Sequence, residues 1–167
     1  MKIFNTLSNQ LEEFVPRHKN KVSMYVCGPT VYNYIHIGNA RPVIFFDTVR
    51  RYFEHRDYQV KFVSNFTDVD DKIINKAIDL NQKEIQVSEK FIKAFLEDVE
   101  RVNSSVDYIQ PKVTEYMDKI IKYIELLVEK GYAYEVDGDV YFRVQNVKDY
   151  GALSNRNIED LISGARI

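Results

Sequence analysis

The sequence predicts an α/β fold, on three observations. An apolar run, Val22 to Val26, stops at Cys27 and is broken by Gly28-Pro29 ahead of a helical pattern. A second, alternating run from Tyr58 to Val63 follows that helix. Strand, helix and strand in about forty residues form a βαβ unit, whose strands run parallel. The third observation is that helical periodicities and one hairpin, but no further βαβ unit, fill the rest of the chain. The expected division is residues 1–80 as the parallel βαβ part and 81–167 as an insertion of helices plus a β-hairpin.

Lys2 to Thr6 reads as a short strand, and Phe14-Val15 as another before Pro16. His18 to Lys21 is a solvated turn. Residues 39–55 set Phe46, Val49 and Phe53 on one face, with Phe45 and Tyr52 beside them, the spacing of a helix packed on one side. Asn39 is a good N-cap, and Pro42 falls in the first turn of that helix, where its missing N–H costs little. His55 and Asp57 end it.

From Val69 the pattern is helical again, with Val69, Ile73, Ala77 and Leu80 sharing a face. Residues 86–102 repeat it with Val87, Phe91, Phe95, Val99 and Val102. A connection over 103–110 leads to a further helix with Pro111 in its first turn. Val113, Met117, Ile120, Ile124 and Leu127 are in register there, and Gly131 is the stop. Tyr132 to Val136, the turn Asp137-Gly138 and Asp139 to Arg143 make a hairpin. Tyr150 to Ile167 reads as a loop with one short helix.

Composition narrows the function. The 167 residues are 45% hydrophobic, enough for one packed domain, and 23 Lys plus Arg against 25 Asp plus Glu leave a net charge of −2. A large nucleic-acid surface would show a basic excess, so any RNA contact is local or lies elsewhere. One cysteine excludes an internal disulfide and fits a reducing compartment. No signal peptide, lipidation motif or apolar run of membrane-spanning length is present. The expectation is a soluble, cytoplasmic protein with no membrane contact.

Candidate site residues cluster between the first strand and the helix after it. A helix start exposes backbone N–H groups and the positive end of the dipole, which suits an anion. His36 and Asn39 stand at that entrance, and Gly38 lets a ligand approach the backbone. The same residues also serve as plain capping, and spacing alone leaves both readings open. Cys27 is either a small core residue at a strand end or a metal ligand. Asp68, Asp70 and Asp71 either complement the dipole of the next helix or take part in chemistry. In parallel sheets ligands bind beyond the carboxyl ends of the strands, the rim that carries Cys27, His36 and Asn65 to Asp70.

Two blocks carry a family resemblance. Tyr25-Val26-Cys27-Gly28-Pro29-Thr30-Val31-Tyr32 leading into His36-Ile37-Gly38-Asn39 resembles the His-Ile-Gly-His type signature of class I aminoacyl-tRNA synthetases, in the form carried by cysteinyl-tRNA synthetases. Asn65-Phe66-Thr67-Asp68-Val69-Asp70-Asp71-Lys72 resembles a second signature of that family, and the likeness extends from about Lys2 to Ile167. Asn39 departs from the more frequent His, which changes its charge but not its capacity to donate.

The resemblance implies the N-terminal half of a Rossmann-like catalytic domain. The second half, the Lys-Met-Ser-Lys-Ser type motif and the anticodon-binding domain are absent from the chain and belong after residue 167. It implies a ligase that activates L-cysteine with ATP and Mg2+ to cysteinyl-adenylate and transfers it to tRNA(Cys), acting as a monomer when complete. His36 and Asn39 would be catalytic, and His36, Gly38 and Asn39 would bind ATP. Gly28, Thr30 and Thr67 would contact the amino acid, and Cys27 would be one ligand of a Zn2+ whose other ligands lie outside this chain. A steric pocket separates near-isosteres by only about a hundredfold, whereas a soft metal prefers thiolate over hydroxyl strongly. The alternatives are a cysteine ligase of the mycothiol-biosynthesis type, which acylates an amino sugar, and a non-catalytic binding module derived from half a synthetase.

Overall fold

The computed structural model describes residues 1–154. In chain order its elements are β1 (Lys2–Asn5), β2 (Gln10–Glu13), β3 (Lys21–Val26), α1 (Ile37–His55), β4 (Gln59–Ser64), α2 (Asp71–Leu80), α3 (Glu84–Arg101), α4 (Met117–Glu129), β5 (Ala133–Val136) and β6 (Asp139–Phe142). The chain divides into two compact units, residues 16–117, and residues 1–15 with the chain from Asp118 onward.

The 16–117 unit is built on the expected βαβ. β3 and β4 pair in parallel with Val22 opposite Val60 and Tyr25 opposite Val63. The pairing continues beyond the strand ends, where the Thr67 N–H donates to the Pro29 carbonyl at 3.1 Å and the Val31 N–H to the Thr67 carbonyl at 3.2 Å.

On the other side of β4 lies a parallel segment that the sequence predicts as a connection and a helix start. Ser64 N–H donates to the Ile109 carbonyl (3.0 Å), Phe66 N–H to the Pro111 carbonyl (2.9 Å) and Val113 N–H to the Phe66 carbonyl (3.3 Å). Pro111 is therefore not in the first turn of a helix. It sits within a third strand-like segment, and having no N–H it leaves out the bond to Ser64 that this register calls for.

The periodic faces at 69–80 and 86–102 form the core. Ile73, Ala77, Val87, Phe91, Ile92, Phe95 and Val99 are buried in one cluster with Val31 and Phe66 from the strand exits. Phe66 and Phe95 meet edge to face at 5.4 Å. Burying each large apolar side chain contributes about 1.5–3 kcal/mol. Val69, Leu80 and Val102, at the ends of the stripes, are exposed.

Helix α1 begins at Ile37, three residues earlier than the capping preference of Asn39 suggests, and His36 is its N-cap. Pro42 consequently lies in the second turn, where it removes the bond to the Gly38 carbonyl. Buried Asp47 on this helix accepts from Arg50 (2.8 Å) and Arg51 (2.8 Å), and Arg51 reaches the Asn103 carbonyl at 3.0 Å, tying α1 to the end of α3.

The three aspartates have separate structural roles. Asp70 caps α2 by accepting from the Lys72 N–H at 2.9 Å, and Asp71 opens its first turn, as the dipole argument expects. Asp68 is outside the helix. It is buried and accepts from both the N–H (3.1 Å) and the hydroxyl of Thr114, which fastens the end of β4 to the end of the Ile109–Val113 segment.

In the other unit, β1 and β2 form an antiparallel hairpin with Lys2 opposite Glu13. The second strand thus precedes Phe14-Val15, because the tight turn that Asn5 and Asn9 support brings Gln10 back opposite Asn5. α4 is led in by a 3₁₀ turn at Thr114–Tyr116 and ends at Gly131 in the left-handed region. β5 and β6 pair around Asp137 (φ 53°) and Gly138 (φ 88°), the turn expected for Asp-Gly. The stripe predicted for α4 is only partly covered, with Met117, Ile120 and Ile124 each 37–39% exposed. Ala152–Ser154 forms one 3₁₀ turn, and the remainder of the predicted C-terminal loop and helix falls outside the described residues. Among the described residues no helix is long and apolar enough to cross a membrane.

Candidate active site

The site is built where β3 and β4 end and α1 begins, all within the 16–117 unit. Cys27, Gly28, Gly38 and Asn39 line one cavity of about 120 Å³ together with Phe46, Asp47 and Tyr108. Thr30, His36 and Asn39 line a second, more polar one of about 320 Å³ with Tyr32, Tyr34 and Lys72. Asn39 borders both. Thr67 lines neither cavity, but it is paired with Thr30 across the strand exits.

The helix entrance differs from the expectation of open backbone donors. The Gly38 N–H donates to His36 Nδ1 at 3.0 Å, and the Asn39 N–H donates to the His36 carbonyl at 2.8 Å. In return the His36 N–H donates to Asn39 Oδ1 at 3.3 Å, completing a capping box. The capping and functional readings of these residues are compatible. Because Nδ1 accepts, the proton of the neutral ring is on Nε2, and His36 offers Nε2–H as a donor. Because Asn39 Oδ1 accepts, its Nδ2 remains the donor. Gly38 is needed for this fold-back, since a Cβ there would lie 2.7 Å from His36 Cε1.

Cys27 is exposed, so it is not a core residue. Its thiol faces its neighbour's carbonyl, Gly28 O, at 3.8 Å. Among the described residues no group of His, Cys, Asp or Glu side chains could complete a metal site with it. An exposed thiol at a strand end fits one ligand position of a soft metal, and no more than one. Gly28 is held against the other strand, where a Cβ would come within 1.6 Å of the Asn65 carbonyl oxygen.

Two residues of the site were not singled out from the sequence. Lys72 Nζ lies 5.5 Å from the centroid of the Tyr32 ring, placing a cation at the wall of the larger cavity instead of in open solvent. Asn65 joins the two strand exits. Its Oδ1 accepts from the Tyr25 hydroxyl (2.8 Å) and the Gly28 N–H (3.1 Å), and its Nδ2 donates to Thr67 Oγ1 (3.4 Å). Asn65 opens the second signature block, and its place at a strand end was the available signal. Burial opposes ionisation of Asp47, but the Arg50 and Arg51 guanidiniums outweigh it and hold the carboxyl below its usual range. Burial pushes the Tyr108 phenol up.

Comparison with known proteins agrees with the two signatures. Residues 13–167 match the family described as tRNA synthetases class I (C) catalytic domain. The whole chain aligns with a protein named cysteine-tRNA ligase from Fusobacterium nucleatum at 60% identity and with another of that name from Lachnoclostridium phytofermentans at 59%. The chain spans 36% of the length of each of these relatives. Among solved structures, a LeuRS-tRNA-LeuAMS ternary complex from Agrobacterium radiobacter K84 superposes with a TM-score of 0.62 at 19% identity, over 73% of this chain and 16% of that one. At that identity the likeness establishes the shared fold.

Proposed function

The chain belongs to the class I (C) tRNA synthetase catalytic-domain family, and from that premise we propose that it is the N-terminal catalytic portion of a cysteine-tRNA ligase. The proposed reaction joins the carboxylate of L-cysteine to the α-phosphate of ATP, with Mg2+ and loss of pyrophosphate, and then transfers the acyl group to tRNA(Cys). The observation that carries this reading is that Cys27 and Gly28 from the β3 exit share one cavity with Gly38 and Asn39 from the start of α1. An amino acid held at the former is thereby next to a phosphate held at the latter.

Displacement at phosphorus needs positioning and donors aimed at developing negative charge more than covalent help. His36 Nε2–H and Asn39 Nδ2–H are donors of that kind, kept in place by the capping box. Lys72 adds positive charge at the wall of the neighbouring cavity. Thr30 and Thr67, paired across the strand exits, supply hydroxyls for the amino acid. Cys27 would hold Zn2+ with ligands from outside the chain, and that metal supplies a soft centre that selects thiolate over hydroxyl. Residues 1–80 as half of the catalytic fold and 81–167 as connective insertion belong to the same proposal. The contacts of α3 with α2, and of Ile109–Val113 with β4, favour drawing the boundary nearer residue 117.

The test is cysteine-dependent exchange of pyrophosphate into ATP by the complete natural protein, followed by product analysis with tRNA(Cys) and with an amino sugar. Exchange followed by acylated tRNA is the expected result. Acylated sugar would shift the assignment to the mycothiol type, and no exchange with zinc supplied would leave a binding module. Cys27→Ser should lower zinc content and erode the preference for cysteine over serine. Unchanged values for both would remove Cys27 from the metal site.

A further inference from the structure

We propose that Asn65 is the positioning residue of this site, setting the Cys27-Gly28 turn with one end of its amide and the direction of the Thr67 hydroxyl with the other. The inference deepens the proposed function and rests on it for its catalytic consequence. The atoms leave one arrangement of the amide. The Gly28 N–H, at 3.1 Å, can only donate, so the oxygen of the Asn65 side chain faces it, and the same oxygen takes the Tyr25 hydroxyl proton at 2.8 Å. Nδ2 is thereby turned to Thr67 Oγ1 at 3.4 Å. An amide nitrogen cannot accept, so Thr67 accepts from it and its own O–H is released to donate elsewhere.

The backbone adds a second constraint. Gly28 sits so close to Asn65 that no side chain fits between them. The β3 exit therefore has no freedom to move unless Asn65 moves with it. Cys27 precedes Gly28 in the chain, so the direction of its thiol is set by a turn whose N–H is fixed from the opposite strand. One residue couples the group assigned to the metal and the group assigned to the amino acid, and it lines neither cavity itself.

Asn65→Asp separates the two functions of the amide. An aspartate at 65 still accepts from Gly28 and Tyr25, but offers Thr67 an acceptor, so the Thr67 O–H turns inward and its donor is lost to the ligand. In the complete protein, Asn65→Asp should raise KM for cysteine about tenfold while zinc content and Tm stay near wild type. In a Thr67→Val background the same change should add less than about twofold, because the donor is already gone. Hydrogen exchange gives a readout free of catalysis. The Gly28 amide should be protected in wild type and in Asn65→Asp, and should lose protection in Asn65→Ala. Full additivity with Thr67→Val, an unchanged KM, or a Gly28 amide indifferent to Asn65→Ala would each overturn the proposal. A protein that shows the protection pattern yet no cysteine-dependent exchange would refute the function and uphold the positioning.

Discussion

The two units of this chain handle the same kind of sequence differently. Residues 16–117 bury Phe66, Ile73, Val87, Phe91, Phe95 and Val99 to 4% exposure or less. Among the described residues of the other unit, Ala133 is the one buried apolar side chain, although α4 carries as clear an apolar stripe as α3. Periodicity thus forecasts a helix equally well in both, and burial in only one. Every candidate site residue comes from the unit with the core, which is where a geometry accurate to a fraction of an ångström can be kept.

Substitutions can break or sharpen that contrast. The largest effect is expected from Phe95→Ala, which removes a buried ring from the cluster and should cost about 3–5 kcal/mol in chemical denaturation. Gly28→Ala comes next, at about 3 kcal/mol, because the added methyl meets the Asn65 backbone and must push the strand exits apart. Thr114→Val should cost about 1–3 kcal/mol, since it leaves the buried Asp68 carboxylate with one donor fewer.

The Asp47 cluster gives a smaller effect that depends on pH. Its carboxyl is held below the usual range in the folded protein, so the stabilisation is present above the ordinary carboxylate value of about 3.9 and is lost as pH falls through the depressed one. Asp47→Asn should flatten the acid limb of the stability curve and leave the neutral region little changed in shape. At the other extreme, Ile124→Ala on α4 should cost less than about 1 kcal/mol. If it costs as much as Phe95→Ala, the contrast between the units fails.

What the sequence made legible follows the same physics. The βαβ frame, the faces of α2 and α3 and the Asp-Gly hairpin rest on local periodicity and turn chemistry, and they stand as read apart from Val69, Leu80 and Val102, which the ends of the two stripes leave exposed. The start of α1 was misplaced because Asn is intrinsically a better cap than His. Here Asn39 serves at the third helical position, with His36 as its reciprocal partner. The third parallel segment was illegible because it is short and contains Pro111, a residue that argues against a strand wherever the neighbour is unknown. Asp68 could not be told from Asp70 and Asp71, since its partner is Thr114, far away in the sequence. Cys27, His36 and Gly38 were legible as a motif, while the coupling through Asn65 needed the two strands side by side.

The bond from the Gly38 N–H to His36 Nδ1 makes the helix start chemically selective. An electrophilic reagent or an adventitious metal ion meets only Nε2, because the other nitrogen is already engaged. The backbone that presents the histidine thus also decides which of its two ring nitrogens an arriving group meets.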